Sequence, residues 1–452
     1  MDQWAGVVLA AGMGVRMNSR LPKVLHPVCG KEMIRYPIEL LRQLGIGRLV
    51  AVVSPTGAPA VRELLGEDVE YVTQPSALGT GDALGRAAEL LQGKADHLLV
   101  LGADSPLLRP DTVKGLVTSH VAASDDMTLL TGETFSVGDL GRVYQDETGK
   151  VVSIVEAVDD PKASNLPGVF NAGVYCFSAP WLWENLERVE PSPNGERYLT
   201  SLAGIAAAQG AKVHGVAAAD SGELHGINDR LQLAQVEAAH RQRIREHWML
   251  AGVTMVDPAS VFIDADVAIG QDTVILPNTM LLGRTSIGEG CEIGPGSVVR
   301  DSKVGHRCRV TASALEEAAM ENDVDIGPFS HLRPGAYLES GVHVGNFAEV
   351  KQSRLASGSA MGHFGYVGDT SIGAGVNLGA GMVTCNYDGK DKHRTVIEAG
   401  AFIGCDTMLV APVTVGAGAV TGAGSVVTHD VPAGRLAVGV PAKIKVKNDR
   451  PD

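Results

Sequence analysis

The stretch IGPFSHLRPGAYLESGVHVGNFAEV (326–350) places an aliphatic residue at every sixth position: Ile326, Leu332, Leu338, Val344 and Val350. A helix repeats near 3.6 residues and a strand near 2, so neither accounts for a period of six. The same spacing joins Ile263, Ile269, Ile275, Leu281, Ile287, Ile293 and Val299, and again Ile397, Ile403, Leu409 and Val415. One short strand plus one corner uses six residues, and three such sides close a coil of about 18 residues. Stacked coils then point each aliphatic side chain inward, onto its counterpart in the next coil. Glycine often follows the aliphatic residue, as at Gly270, Gly288, Gly294, Gly327, Gly345, Gly373, Gly379, Gly404 and Gly416. It is expected there to take the positive φ of a tight corner. From about residue 254 the chain therefore reads as a parallel β-helix of hexapeptide repeats.

The repeat loses register in places, and a solenoid has no reason to do so unless something else needs the residues. Val350 to Ile372 is not a multiple of six, nor is Leu378 to Ile397. The first interval holds Lys351, His363 and Tyr366; the second holds CNYDGKDKHR (385–394), with Asn386, Tyr387 and Lys392. Arg333 sits in the preceding coils. Cations, an imidazole, a phenol and amides within a few coils suit an anionic substrate and a proton transfer. A third irregular stretch, RVTASALEEAAMEND (309–323), is expected to be a protruding loop without chemistry.

The first part of the chain follows another grammar. GVVLAAG (6–12), RLVAVVS (48–54), VEYVTQ (69–74) and HLLVLGAD (97–104) read as strands. They alternate with helical stretches at 36–45, 58–66 and 81–92. Such alternation implies an α/β, Rossmann-like domain with a mostly parallel sheet, whose ligands sit beyond the carboxyl ends of the strands. Residues 228–250 form one long polar helix candidate, capped by Asn228 or Asp229. The organisation expected is an α/β domain at 1–227, a linker helix at 228–250 and the β-helix at 251–452.

Composition narrows the partners. A formal net charge of −14 argues against a broad nucleic-acid or anionic-membrane surface. Small anionic ligands need only a few local cations. The six cysteines are scattered with no CxxC pair, which favours reduced thiols in a cytoplasmic compartment. No apolar run approaches 20 residues and the N-terminus does not read as a signal peptide, so no membrane span is expected.

LAAGMGVRM (9–17) follows the first strand and precedes RLPKVL (20–25). Glycines at 12 and 14 let backbone N–H groups approach a phosphate chain. Arg16 and Lys23 add charge for a pentavalent phosphorus and a pyrophosphate leaving group. The loop is neither a Walker A motif nor GxGxxG. LGADSP (101–106) ends a strand on Asp104, a natural Mg²⁺ ligand, with Asn228 a second oxygen donor.

These residues resemble the sugar-phosphate nucleotidyltransferases. GHFGYVGD, NLGAG and TCNYDG on a hexapeptide helix resemble, within that group, the bacterial bifunctional N-acetylglucosamine-1-phosphate uridylyltransferase / glucosamine-1-phosphate acetyltransferase family. The resemblance runs over essentially the whole chain. It implies a left-handed β-helix and a homotrimer whose acetyl-transfer sites form between neighbouring β-helices. It also implies two reactions: glucosamine-1-phosphate is acetylated from acetyl-CoA, and the product then condenses with UTP to give UDP-N-acetylglucosamine and pyrophosphate. The sugar nucleotide would feed peptidoglycan and lipopolysaccharide synthesis.

By matching motif, the resemblance assigns Leu9, Ala10, Ala11 and Gly12 to the uridine pocket, Gln74 to the uracil with Gly79 and Thr80 nearby, and Lys23 to phosphate. It assigns Mg²⁺ to Asp104 and Asn228, and the N-acetyl sugar to Gly141, Glu156 and Asn171. On the β-helix it makes His363 the general base on the sugar amine, in keeping with an imidazole's titration near neutrality. Arg333, Lys351, Tyr366, Asn377 and Lys392 would bind the sugar phosphate. Ala380, Asn386, Tyr387, Cys405 and Ala423 would line the acetyl-CoA side. Three features depart from the family: Val15 stands where relatives carry Thr or Ser, Cys405 where they carry Ser, and the tail lacks a clear CoA-binding arginine, leaving Lys443 or Lys445 to serve. Two rival readings are a monofunctional nucleotidyltransferase with a structural β-helix, and a non-catalytic assembly subunit.

Overall fold

The computed structural model describes residues 3–134, 140–160 and 166–446. The chain divides into two compact units, Met1–His240 and Arg241–Asp452. The helix Arg230–Leu250 runs across the division.

The first unit is built on a nine-stranded sheet. Its spine runs, edge to edge, through Val213–Ala217, Met127–Thr134, Gly168–Ser178, His97–Gly102, Trp4–Ala10, Arg48–Val53 and Glu70–Thr73. All neighbours on this spine are parallel except Gly168–Ser178, which is antiparallel to both strands it joins. The central strands are apolar on both faces because helices cover both. Val8, Leu99 and Leu101 face one buried cluster, and Val7, Leu98 and Val100 the other. The helix expected at 81–92 is two short pieces, Thr80–Gly85 and Ala88–Leu91. Gly81 and Gly85 weaken a continuous helix there.

The second unit is three sheets of two- to five-residue strands, one strand per coil in each and all parallel except the closing strand Ala442–Val446, which runs antiparallel to Arg435–Gly439. We number its faces by the strands Thr254–Met255, Phe262–Ile263 and Ala268–Ile269 that begin them. Every aliphatic residue of the six-residue series is buried in one continuous core. Ile244 and Trp248 of the long helix pack against that core.

Three expectations change. First, of the glycines that follow the aliphatic positions, only Gly294 and Gly327 have positive φ. The others are needed because the coils lie so close. A Cβ on Gly270 would sit 2.6 Å from the Glu289 nitrogen, and one on Gly379 would sit 2.6 Å from that of Cys405. Second, 309–323 is no protruding loop. It forms the strands Arg309–Val310, Ala314–Glu316 and Ala319–Met320 in register with their neighbours, with shortened corners. Third, the interval from Val350 to Ile372 contains no insertion. Leu355, Met361 and Val367 keep the core filled at steps of five, six, six and five. The two short steps turn on Gln352 and Asp369, whose φ values are 45° and 52°. The interval from Leu378 to Ile397 does hold an insertion, at the corner between second and third faces: Thr395–Ile397 pairs with Thr370–Ile372, 25 residues earlier.

Candidate active site

In the first unit a cavity of about 560 Å³ opens where Trp4–Ala10 and His97–Gly102 end. Leu9, Ala10, Ala11 and Gly12 line it, as do Lys23 and Asp104. Gly14 has φ 60°, and a Cβ there would lie 2.6 Å from Lys23 Cβ, so the loop packs on the lysine stem only as glycine. Val15 also lines the cavity, whereas Arg16, exposed on the turn Val15–Met17, does not.

Lys23 is the hub. Its Nζ donates to Asp104 Oδ2 at 2.6 Å and to Asn228 Oδ1 at 3.2 Å, with the lysine side chain 11% exposed. Asn228 is available because Asp229 caps the long helix: Asp229 Oδ1 accepts from the Gln232 N–H at 2.8 Å. Two oxygen donors thus converge on one cation. No cluster of three or more His, Cys, Asp or Glu able to hold a metal exists among the described residues.

Gln74 and Gly79 form the far wall, with Thr80 beside them. Gln74 is buried and its Nε2 donates to the Gly79 carbonyl at 3.1 Å and to Asp82 Oδ2 at 2.8 Å. Thr80 Oγ1 accepts from the Leu199 N–H at 2.9 Å. Gly141, Glu156 and Asn171 do not line the cavity. Asn171 Nδ2 donates to the Tyr175 hydroxyl at 2.6 Å, its Oδ1 accepts from the Gly173 N–H at 3.1 Å, and Gly173 and Tyr175 line the cavity. The Asn171 N–H donates to the Gly141 carbonyl at 2.8 Å. Burial pushes the Glu156 carboxyl above the ordinary range, against the Thr200 hydroxyl that donates to it at 2.7 Å. Sequence reasoning missed Tyr175, Glu196 and Tyr198 on the cavity wall. Glu196 and Tyr198 come from a connecting segment with no period to read. Tyr175 lies past a bulge in its strand that puts it within reach of Asn171.

In the second unit the expected residues sort by face. Arg333, Lys351 and Tyr366 lie at the second-face strands His331–Leu332, Ala348–Lys351 and Gly365–Gly368. Arg333 pairs with Glu349 at 2.6 Å. Lys392, on the insertion, forces the Lys351 ammonium below the ordinary lysine range; Arg333 adds to this and Asp369 opposes it. Like charges gathered this way form a site for an anion. Asn386 Nδ2 donates to Asp369 Oδ2. A Cβ on Gly368 would collide with the Tyr366 hydroxyl and Asn386, so all three meet at one spot. The insertion is held by Asp388, which accepts from the Lys390 and Asp391 N–H groups, each at 2.8 Å, and from His393 Nε2 at 2.7 Å. Those bonds, led by the Asp391 N–H, bring the Asp388 carboxyl down to about 2. Tyr387 bridges to Lys392 across this loop and is exposed.

His363 is exposed at the corner between first and second faces. Ala380, Cys405 and Ala423 occupy the same corner on the next three coils. Single backbone bonds join these corners: Gly381 N–H to Phe364 O at 2.7 Å, Asp406 N–H to Ala380 O at 2.7 Å, and Gly424 N–H to Cys405 O at 2.8 Å. Ala380, Cys405 and Ala423 therefore form a column of corners that runs on from that of His363. Asn377 is set apart on the first face, paired with Phe402. Lys443 and Lys445 lie in the closing strand Ala442–Val446; the tail beyond it is outside the described residues.

Residues 6–200 match the MobA-like NTP transferase domain family, and residues 266–301 and 394–429 match the bacterial transferase hexapeptide family of six repeats. Along nearly its full length the chain is similar to proteins called bifunctional protein GlmU. It is 42% identical to that of Geobacillus sp. (strain WCH70), over 98% of this chain and 96% of that one. It is 43% identical to that of Heliobacterium modesticaldum, over 99% and 98%. It is 44% identical to that of Exiguobacterium sibiricum, over 96% of each. The chain belongs to the bifunctional GlmU family. The two matched domain families fall on the two units in turn, so each unit of this GlmU-family chain carries its own transferase fold.

Proposed function

We propose that the chain is a bifunctional enzyme of UDP-N-acetylglucosamine synthesis, with an acetyltransferase on the β-helix and a uridylyltransferase on the α/β unit. The observation that carries this is the pairing of two unlike sites on two units: Lys23, Asp104 and Asn228 at a strand-end cavity, and on the β-helix His363 heading a column of corners on the same run of coils that gathers Arg333, Lys351 and Lys392. The division proposed is 1–227, 228–250 and 251–452, and the unbroken helix Arg230–Leu250 supports a joint there.

In the first reaction the phosphate of glucosamine-1-phosphate lies against Arg333, Lys351 and Lys392, with Tyr366 and Asn377 on the sugar. A ring nitrogen of His363 takes a proton as the amine nitrogen bonds to the thioester carbonyl carbon of acetyl-CoA. The carbon–sulfur bond then breaks, and the CoA thiolate takes up the proton. Acetyl-CoA lies along Ala380, Cys405 and Ala423, with Asn386 and Tyr387 beside it. Backbone N–H groups of that column are the oxyanion donors, since a thiol at Cys405 is a weak one.

In the second reaction an oxygen of N-acetylglucosamine-1-phosphate attacks the α-phosphorus of UTP, and pyrophosphate leaves. Lys23 neutralises charge on the phosphates, with Arg16 joining from its exposed turn. Gln74 faces the uracil, with Gly79 and Thr80 beside it; Gly141, Glu156 and Asn171 set the sugar end. Mg²⁺ fits this site. A carboxylate and an amide oxygen already converge on a cation, and Mg²⁺ prefers few protein oxygens plus phosphate and water. Held by Asp104 and Asn228, it would neutralise the developing pyrophosphate charge.

A homotrimer is proposed because one chain holds parts of the acetyl-transfer site on two faces. The corner between those faces also exposes Phe329, Phe347 and Phe364, at 62%, 60% and 56%. Phe329 and Phe347 stack with ring centroids 5.4 Å apart. Exposed aromatic rows of this kind call for a cover. A cytoplasmic location is supported by six free cysteines, and among the described residues no helix is long and apolar enough to cross a membrane. The test is one preparation assayed twice: CoA thiol release from acetyl-CoA with glucosamine-1-phosphate, and pyrophosphate release from UTP with N-acetylglucosamine-1-phosphate. Both signals are expected. Pyrophosphate without thiol would leave a monofunctional nucleotidyltransferase, and neither would leave an assembly subunit.

A further inference from the structure

The Gln74 side chain is held from behind in a way that fixes which end of its amide meets the cavity. Its Nε2 donates to the Gly79 carbonyl at 3.1 Å and to Asp82 Oδ2 at 2.8 Å. A carbonyl and a carboxylate only accept hydrogen bonds. Flipping the amide would set its oxygen against both, leaving buried acceptors facing an acceptor. The nitrogen is therefore pinned to the protein side and Oε1 is left for the cavity. The other oxygen of the carboxylate, Oδ1, accepts from Arg86 at 2.9 Å, which fixes its plane. The Asp82 side chain is only 14% exposed. Asp82 rides on the short helix Thr80–Gly85, whose start is fixed by Gly79: φ there is 94°, and a Cβ would run into the Arg197 backbone.

We propose that Asp82 is a specificity-determining positioning residue, which keeps the Gln74 oxygen rather than its NH₂ towards the nucleotide base. This rests on reading the cavity as the uridylyl-transfer site. An inward-pinned nitrogen selects a pyrimidine that offers an N–H at ring position 3, as uracil does. Cytosine presents an unprotonated nitrogen there and would meet the Gln74 oxygen acceptor to acceptor. Asp82 acts only through Gln74 and touches neither base nor phosphate.

The experiment measures kcat/KM for pyrophosphate release with UTP and with CTP in the full-length protein, for wild type, Asp82→Ala, Asp82→Asn and Gln74→Ala. Taking the ratio within one preparation cancels any loss of folded enzyme. In Asp82→Ala the preference for UTP is expected to fall by about tenfold or more, mostly through KM, because only the longer bond to the Gly79 carbonyl then holds the amide against turning its NH₂ to cytosine. CoA thiol release is expected to be unchanged. Asp82→Asn keeps one oxygen to face Nε2, with Arg86 turning to solvent, so its preference is expected within about threefold of wild type. An unchanged preference in Asp82→Ala overturns the proposal, as does an equal fall in Asp82→Asn. If Gln74→Ala alone lowers the preference, the cavity reading stands and the role of Asp82 falls. If wild type releases no pyrophosphate from UTP, the uridylyl reading itself fails.

Discussion

Replacing Lys23 by methionine keeps most of the length of the side chain and removes its charge. The ammonium now lies 2.6 Å from Asp104 Oδ2 and 3.2 Å from Asn228 Oδ1, largely out of solvent. A hydrogen bond to a charged partner contributes about 1.5–3 kcal/mol. The Asp104 side chain is 30% exposed, so water recovers part of that loss. The first unit is therefore expected to lose about 1–2 kcal/mol of stability. The kinetic cost is larger. One preorganised donor at developing charge is worth about 3–4 kcal/mol, or roughly a hundred- to a thousandfold in rate. Pyrophosphate release is expected to fall by that factor while CoA thiol release stays within about twofold, since Lys23 has no part in the β-helix site. A Mn²⁺ titration without nucleotide is expected to saturate the variant at lower concentration, because the Asp104 and Asn228 oxygens are no longer taken by the ammonium. A fall in pyrophosphate release below about tenfold, or a matching fall in thiol release, would refute the reasoning.

Three more outcomes follow from the same structure. His120 is fully buried, bonded to Thr128 at 2.8 Å and His97 at 3.2 Å, and burial, helped by His97, brings its ring down to about 4. The unfolded ring titrates near 6.5, so the unfolded chain gains a proton first as pH falls. The His120 contribution should cost stability between about pH 6.5 and 4, by no more than about 3 kcal/mol, and change no further below. Urea midpoints across that range check it, and a His120→Gln variant should show the flatter profile. Gly79→Ala forces a side chain into the Arg197 backbone at φ 94° and is expected to cost about 3 kcal/mol or more, with a raised KM for UTP; a wild-type urea midpoint would contradict this. Leu332→Ala empties a fully buried position stacked between Leu315 and Val350 and is expected to cost about 2–5 kcal/mol in denaturant unfolding of the β-helix, with little change in uridylyl transfer.

The period of six was legible because each coil must supply one inward aliphatic residue per face, and nothing else in the sequence is so constrained. Corner length is not bound that way. Gln352 and Asp369 each save one residue by turning through positive φ, which no composition rule announces, so shortened corners read as breaks. The insertion at 385–394 was visible because it adds residues that belong to no strand. The reason for the inter-coil glycines was not visible, since the clash they avoid is with a backbone 17 to 26 residues further on, such as that of Cys405 beside Gly379. At the nucleotide cavity, Lys23 and Asp104 were legible from loop and strand-end motifs, and Asn228 from its place before a helix. Tyr175, Glu196 and Tyr198 were not, because only the folded sheet brings them to the wall. The role of Asp82 was hidden for the same reason: its meaning lies in a bond to Gln74, eight residues away across a turn.

The central claim is that two chemistries sit on two separate units, and His363→Ala tests it most directly. Both half-reactions are measured on one purified sample of that variant. CoA thiol release is expected to fall by about a hundredfold or more with pyrophosphate release unchanged. Full thiol release without the imidazole, or loss of both signals from a folded protein, would contradict the account.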